Sequence, residues 1–410
     1  MRQGLIVLEP RFRVLAVATH PVQYMPPLFR RMAVHPALDF QAVYCTLRGA
    51  EAGHDPEFGA NIQWDIPLLD GYSWSRVKNR GSGAEAFFGL FNPGLWRFIR
   101  KGKYDSVLCF VGYVRASFWI SYLASKLSDA VFIFGTDATS LTPRDGRNWK
   151  IAVKKFFWPR LFRLADQVIA PSSATAEMMR GLGIPDERIS LTPFVVDNDW
   201  WLEQAHRADR KATRADWGVS EGELVVLYCA KLQHWKRPLD LLRAFAKAAV
   251  PNSALVFAGE GPLRSQIETE AATLGVASRV RILGFTNQSR LPAVYSAADL
   301  FVLPSGYDPC PAVVCEAMLC GLPVVLSDEI RGRFDLVQPG ITGGIFACGD
   351  TDALAAILKR LLSSRAALAV LSSNARARMQ TWSARENITG MVDAIARAVF
   401  RRDGRNSDKP

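Results

Sequence analysis

Apolar residues in this chain come in short unbroken runs, set apart by glycine, proline and polar loops. The clearest stretch is 299–327. Leu300-Phe301-Val302-Leu303 fits a strand buried on both faces, as strands of parallel sheets are. Pro304-Ser305-Gly306 breaks it. Residues 312–320 read as an apolar helix, Gly321 sits where a helix stops, and Pro323-Val324-Val325-Leu326 opens another strand. The same alternation recurs along the chain. Strands are predicted at 12–18, 40–45, 107–111, 131–134, 224–229, 254–258 and 280–285. Helices are predicted at 26–33, 239–248, 289–297, 352–362, 365–380 and 383–400. Residues 165–197 read as strand, Ser-capped helix and strand. Residues 46–105 are poorly periodic, 198–222 read as a polar linker, and no internal repeat of fixed period occurs.

At 410 residues, two α/β domains of about 200 residues each are expected. With 49% hydrophobic and 22% charged residues the composition is that of a globular chain, ordered except at its ends. The net charge of +11 is expected to attract anions: nucleotide diphosphates, anionic lipid headgroups or nucleic acid. The excess is uneven. Residues 1–196 carry 24 Lys and Arg against 16 Asp and Glu, and the remainder 26 against 23. No RNP, zinc-finger or helix-turn-helix pattern accompanies the charge, so nucleic acid is not expected as a partner. Cys310, Cys315 and Cys320 are spaced by five with no His near. They read as small buried thiols in a reducing cytosol, and no metal site is expected. The first residues are interrupted by Glu9, Pro10, Arg11 and Arg13 and lack a signal-peptide core. No apolar run reaches the length of about 18 residues that spans a membrane.

Two carboxylates stand out in the 299–327 unit: Asp308 in the loop and Glu316 within the helix. A carboxylate among Ala, Val, Cys, Met and Leu is costly to bury without a partner. The loop at the carboxyl end of a parallel strand, before a helix start, is where open α/β sheets bind ligands. These residues point to a polyhydroxyl or phosphate ligand whose hydroxyls donate to the carboxylates.

The stretch resembles the signature of the retaining, nucleotide-sugar-dependent glycosyltransferases of the GT-B fold, group 1 or family 4. That pattern is an acidic residue, seven residues, then Glu, followed by Ala-Met-x-x-Gly-x-Pro-Val-Val. Here it is Asp308, seven residues, Glu316, Ala317-Met318, Gly321 and Pro323-Val324-Val325. The family usually has Glu where Asp308 stands. The resemblance is strongest over 222–346 and extends through 165–197, including Val196-Asp197. It implies two Rossmann-like doubly wound domains facing a cleft. Residues 1–197 would form the acceptor domain, 198–222 the linker and 223–382 the donor domain. Residues 383–401 would form a helix crossing back, and 402–410 a frayed tail.

The resemblance also implies site roles. Relatives hold the donor diphosphate with an Arg and a Lys after the first strand of the second domain. Lys231 would replace the Arg and Lys236 match the Lys. These two cations would bear the leaving diphosphate's charge without a protein metal. Glu316 would bind the nucleotide ribose, Asp308 a sugar hydroxyl, and the amides of Ala312 and Val313 the phosphates. Pro311 has no N–H to offer. Gly259 and Gly261 would form the donor loop, and Phe285 would meet the base. The donor would be a UDP-, GDP- or ADP-sugar, and no cofactor is expected. On the acceptor side stand His20, Gln23 and Tyr24, His20 reading equally as a capped loop residue, and Asp137 is the polar candidate near the transferred sugar.

Two basic, aromatic stretches suit an anionic membrane surface or a solvated basic face. One ends in Arg97, Arg100, Lys101 and Lys103. The other runs from 144 to 163, with seven basic residues against Asp145, and holds Trp149, Phe156, Phe157 and Trp158. The expected protein is a cytoplasmic glycosyltransferase, peripheral on the inner face of the membrane, acting on a glycan or lipid-linked acceptor in polysaccharide assembly. Two rival readings use the same fold: a phosphorylase or nucleotide-sugar epimerase, and a catalytically silent sugar-binding or scaffolding homologue, the latter motivated by the departures at Asp308 and Lys231.

Overall fold

The structure is a computed structural model that describes residues 11–51, 53–55, 60–142 and 147–404. The chain divides into two units. The first takes the chain up to residue 52, residues 67–193 and the chain from residue 384; the second takes residues 53–66 and 194–383. Arg144 and Asp145 lie outside the described residues, as do residues 1–10 and 405–410.

Strands β1 (Phe12–Ala18) and β2 (Leu38–Tyr44) open the first unit. After them comes a short antiparallel ribbon, β3 (Gly53–Asp55) and β4 (Ala60–Ile62), which belongs to the second unit. β5 (Trp74–Arg76), β6 (Ser106–Cys109), β7 (Val131–Gly135), β8 (Gln167–Ala170) and β9 (Ile189–Leu191) complete a parallel sheet ordered β5-β2-β1-β6-β7-β8-β9. Both of its faces are buried, which explains the unbroken apolar runs. Leu15 and Val17 face one layer with Phe118, Phe132, Trp158 and Phe162. Val14, Ala16 and Ala18 face the other, covered by the helices Met25–Val34 and Ala384–Arg402 through Phe29, Met32, Ile388, Ile395 and Val399.

Three segments differ from their sequence reading. The helix Ala116–Lys126 has no apolar stripe because its buried face carries Ser117, Ser121 and Ser125. The hydroxyls of Ser121 and Ser125 donate to the carbonyls one turn back, at 2.8 and 2.7 Å, and so need no other partner. The stretch ending in Arg97 to Lys103 is an ordered helix, Gly94–Gly102, that buries Leu95 and Ile99 and leaves Arg97, Arg100 and Lys101 exposed. The C-terminal helix runs through Arg402, and Arg401 donates to Oε1 of Gln167 at 2.6 Å.

The second unit holds β10 (Leu224–Cys229), β11 (Ser253–Ala258), β12 (Val280–Gly284), β13 (Leu300–Leu303), β14 (Val324–Ser327) and β15 (Gly343–Phe346), all parallel. Their order is β12-β11-β10-β13-β14-β15. Residues 198–222 are not a linker. They form the helices Asn198–Arg207 and Arg210–Asp216, which pack on this unit. Arg214 is almost fully buried. It donates to the carbonyls of Ala297 and Glu223, both at 2.9 Å, and to Oδ2 of Asp299 at 2.6 Å. A polar residue thus does a core residue's work here.

Candidate active site

In the second sheet, successive strands run outward on both sides of a switch point between β10 and β13. Ligands of such sheets bind outside the carboxyl ends of the strands at that point. The loop after β10 carries Lys231, Trp235 and Lys236. The loop after β13 carries Ser305 to Pro311 and leads into the helix Ala312–Leu319. The two loops are tied together. The Gly306 amide donates to the Trp235 carbonyl at 2.8 Å, and Lys236 Nζ lies 2.5 Å from Oδ2 of Asp308. Lys236 Nζ also sits 4.4 Å from the centre of the Trp235 ring. Lys236 and Asp308 are 11% and 13% exposed, so each neutralises the other in a poorly solvated place. Sequence reasoning gave them separate duties, toward a phosphate and toward a sugar; the structure makes them partners.

Lys231 is half-buried on the same loop, and its carbonyl accepts from the Tyr228 hydroxyl at 3.0 Å. Ala312 and Val313 open the helix, where first-turn amides have no intrahelical acceptor. Gly259 and Gly261 follow β11 and press on the β10 loop. A Cβ on Gly259 would lie 2.0 Å from the Ala230 carbonyl oxygen, and one on Gly261 would lie 2.6 Å from that of Leu232. Both glycines are therefore required by backbone approach. Phe285 lies just past β12, at the same end of the sheet, and is partly exposed.

Glu316 lies inside the helix and is 3% exposed. Its Oε2 accepts from the Tyr295 hydroxyl at 2.9 Å, and the Gln288 side chain bonds to it as well. Burial pushes its carboxyl up to about 7, against these two hydrogen bonds, which lower it. A ligand hydroxyl is thus not needed to account for this carboxylate. Sequence reasoning missed Gln288 and Tyr295. A polar side chain in an apolar helix was the available signal, but nothing in the sequence pairs it with a residue 21 positions away. The turn holding Gln288 is fixed in turn by residues from far upstream. Asn287 donates to the Gln63 carbonyl at 2.9 Å, and Oδ1 of Asp65 accepts from the Ser289 amide at 3.0 Å.

In the first unit, His20, Gln23 and Tyr24 are half-buried in the loop after β1, beside the switch point between β1 and β6. Asp137 is exposed after β7. Among the described residues no group of three or more His, Cys, Asp and Glu could hold a metal ion, and no helix is long and apolar enough to cross a membrane.

Residues 209–378 match the family described as glycosyl transferases group 1, and residues 41–200 match Glycosyltransferase Family 4. The chain thus matches a family 4 glycosyltransferase domain in its first half and a group 1 glycosyltransferase domain in its second. One relative of this chain is the uncharacterised glycosyltransferase MJ1607 of Methanocaldococcus jannaschii, 32% identical over 200 residues, 48% of this chain and 51% of that one. Another is the D-inositol 3-phosphate glycosyltransferase of Rhodococcus erythropolis, 29% identical over 82% of this chain and 80% of that one. The alignments span about half to four-fifths of the length of these relatives. The fold is that of the GT-B structures: Anabaena Alr3699/HepE, solved in complex with UDP and glucose, superposes with a TM-score of 0.70 at 19% identity, over 94% of this chain and 100% of that one.

Proposed function

We propose that this glycosyltransferase moves a sugar, with retention, from a nucleotide-sugar to a hydroxyl of a glycan or lipid-linked acceptor. The setting would be polysaccharide or glycoconjugate assembly, in the cytoplasm and peripherally at a membrane. One observation carries the reading: Lys231, the Lys236–Asp308 pair, the start of the helix Ala312–Leu319 and Glu316 converge at the switch point of the second sheet. As the bond from the anomeric carbon to the diphosphate breaks, negative charge builds on the leaving oxygen. Lys231 and the amides of Ala312 and Val313 stabilise that charge. Lys236 holds Asp308, which accepts a donor sugar hydroxyl, and Glu316 accepts from the ribose. Gly259 and Gly261 let the backbone approach the donor, and Phe285 meets the base. His20, Gln23, Tyr24 and Asp137 serve the acceptor side in the first unit.

HepE was solved with UDP, which makes a UDP-sugar the first donor to try, ahead of GDP- and ADP-sugars. The test is a thermal-shift screen of the three nucleotide classes, followed by turnover of the sugar that binds. At a hundredfold excess over Kd a ligand stabilises by about 2.7 kcal/mol, which such a screen resolves. A protein stabilised by none of the three would refute the reading.

A further inference from the structure

We infer that one face of the first unit, made by the helix Trp149–Leu164 and the 3₁₀ turn Phe87–Gly89 on either side of Val114, seats on an anionic lipid bilayer. The helix is apolar on two sides. Trp158, Leu161 and Phe162 enter the core. Trp149, Val153 and Phe156 recur at i, i+4 and i+7 and are 63%, 52% and 65% exposed. The fold uses the first stripe and leaves the second bare. From residue 147 to 164 the sequence has six basic and no acidic side chains. Two of these cations lie over the exposed rings: Lys150 Nζ is 6.0 Å from the Trp149 centroid, and the Arg160 guanidinium is 3.7 Å from that of Phe156.

The second element adds Phe87 and Phe88, 46% and 65% exposed, whose rings meet edge to face at 5.0 Å. Both elements are fastened to one short segment. The Tyr113 ring is 5.9 Å from Phe157, and its hydroxyl accepts from the Trp158 indole at 3.0 Å. Arg115 donates to the carbonyls of Ala84 and Ala86 at 2.9 and 2.8 Å. Val114, between these two anchors, is itself 54% exposed. The bare rings are thus joined across Val114 rather than scattered.

Aromatic rings rimmed by Lys and Arg match the headgroup layer, where the rings enter the acyl boundary and the cations meet lipid phosphates. A second copy seated through the same face would set six basic residues against six, with Glu85 as the one carboxylate of residues 84–91. Charge complementarity therefore selects a bilayer. The inference rests on the proposed peripheral location. Its test reads lipid binding without turnover, so either can fail alone.

The experiment co-sediments the full chain with phosphatidylcholine vesicles, with and without phosphatidylglycerol, at low and high salt. Expected is binding that needs phosphatidylglycerol and weakens as salt shortens the Debye length from about 10 Å at 0.1 M to about 3 Å at 1 M. Trp149→Ser with Phe156→Ser, and separately Phe87→Ser with Phe88→Ser, should each lower lipid affinity about tenfold at an unchanged melting temperature. Lys150→Glu with Lys155→Glu should lower it by at least fivefold for each charge removed. Three results overturn the inference. The native protein fails to sediment with phosphatidylglycerol vesicles at low salt; both aromatic pairs bind as the native protein does; or the native protein is a lipid-free dimer that the Trp149/Phe156 pair dissociates.

Discussion

Lys236 and Asp308, 72 residues apart in sequence, meet at 2.5 Å between the two loops that flank the switch point of the second sheet. Each is about nine-tenths buried, so the contact closes one loop on the other while holding both charges in place. The pair is as much a structural clasp as a feature of the proposed donor site.

Removing one partner leaves a charge stranded. Lys236→Ala and Asp308→Asn should each destabilise the chain by about 3 kcal/mol, whereas replacing both with apolar residues should cost less than either alone. Urea unfolding of the three variants measures this. Single variants as stable as the native protein would mean that the pair is open to water.

Lys231 stands apart from the clasp, with its loop held by the Tyr228 hydroxyl through the backbone. Lys231→Ala should lower turnover by roughly 10²-fold, through lost stabilisation of the leaving diphosphate, with the melting temperature of the variant measured alongside. Steady-state kinetics decide it, and native turnover in the variant removes Lys231 from the chemistry.

Glu316 ties stability to pH. In the folded chain it keeps its proton up to about pH 7, well above the value of an exposed carboxyl. Folding takes up this proton in between, so its stabilising contribution is full in acid and is lost as pH rises through about 7. Glu316→Gln abolishes the titration. The stability of the variant relative to the native protein should rise by roughly 1–3 kcal/mol between pH 5 and 8. Denaturation curves across that range give the answer, and a difference that stays flat contradicts the burial of Glu316.

Gly259 admits no side chain, since a Cβ there would lie 2.0 Å from the Ala230 carbonyl oxygen. Gly259→Ala should cost about 1–3 kcal/mol by overpacking and weaken donor binding by shifting the loop that bears Lys231. Gly222→Ala, where nothing lies within 4 Å, is the control and should be neutral. The two midpoints in urea, compared side by side, test the claim.

Most of the second sheet was readable because β10, β11, β13 and β14 are apolar runs ended by Gly, Pro or a polar loop, whereas β15, Gly343–Phe346, opens on two glycines and was not read as a strand. Asp308 and the lysines were readable as a group because they fall in the loops those runs define, and Glu316 because it interrupts the apolar helix that follows one of them. What stayed hidden was pairing. Whether Lys236 faces a phosphate or Asp308, and whether Glu316 faces a ribose or Tyr295, depends on which loops meet. Strand spacing alone carries no such information. The helix Arg210–Asp216 was hidden for another reason. Its anchor, Arg214, is buried through hydrogen bonds rather than apolar area, and it reads as a surface residue in any hydropathy pattern.

The helix Ala384–Arg402 covers one face of the first sheet, yet the 190 residues 194–383, the larger part of the second unit, are made before it. At about 5–20 residues per second, roughly 10–40 s pass on the ribosome between the last strand of that sheet and its cover. Through that interval Val14, Ala16, Phe40 and Ile133 have no Ile388, Ile395 or Val399 to pack against. The nascent chain is thus a natural client for a holdase, and its yield in cells should be set by the speed of translation past residue 193 as much as by the stability of the finished fold.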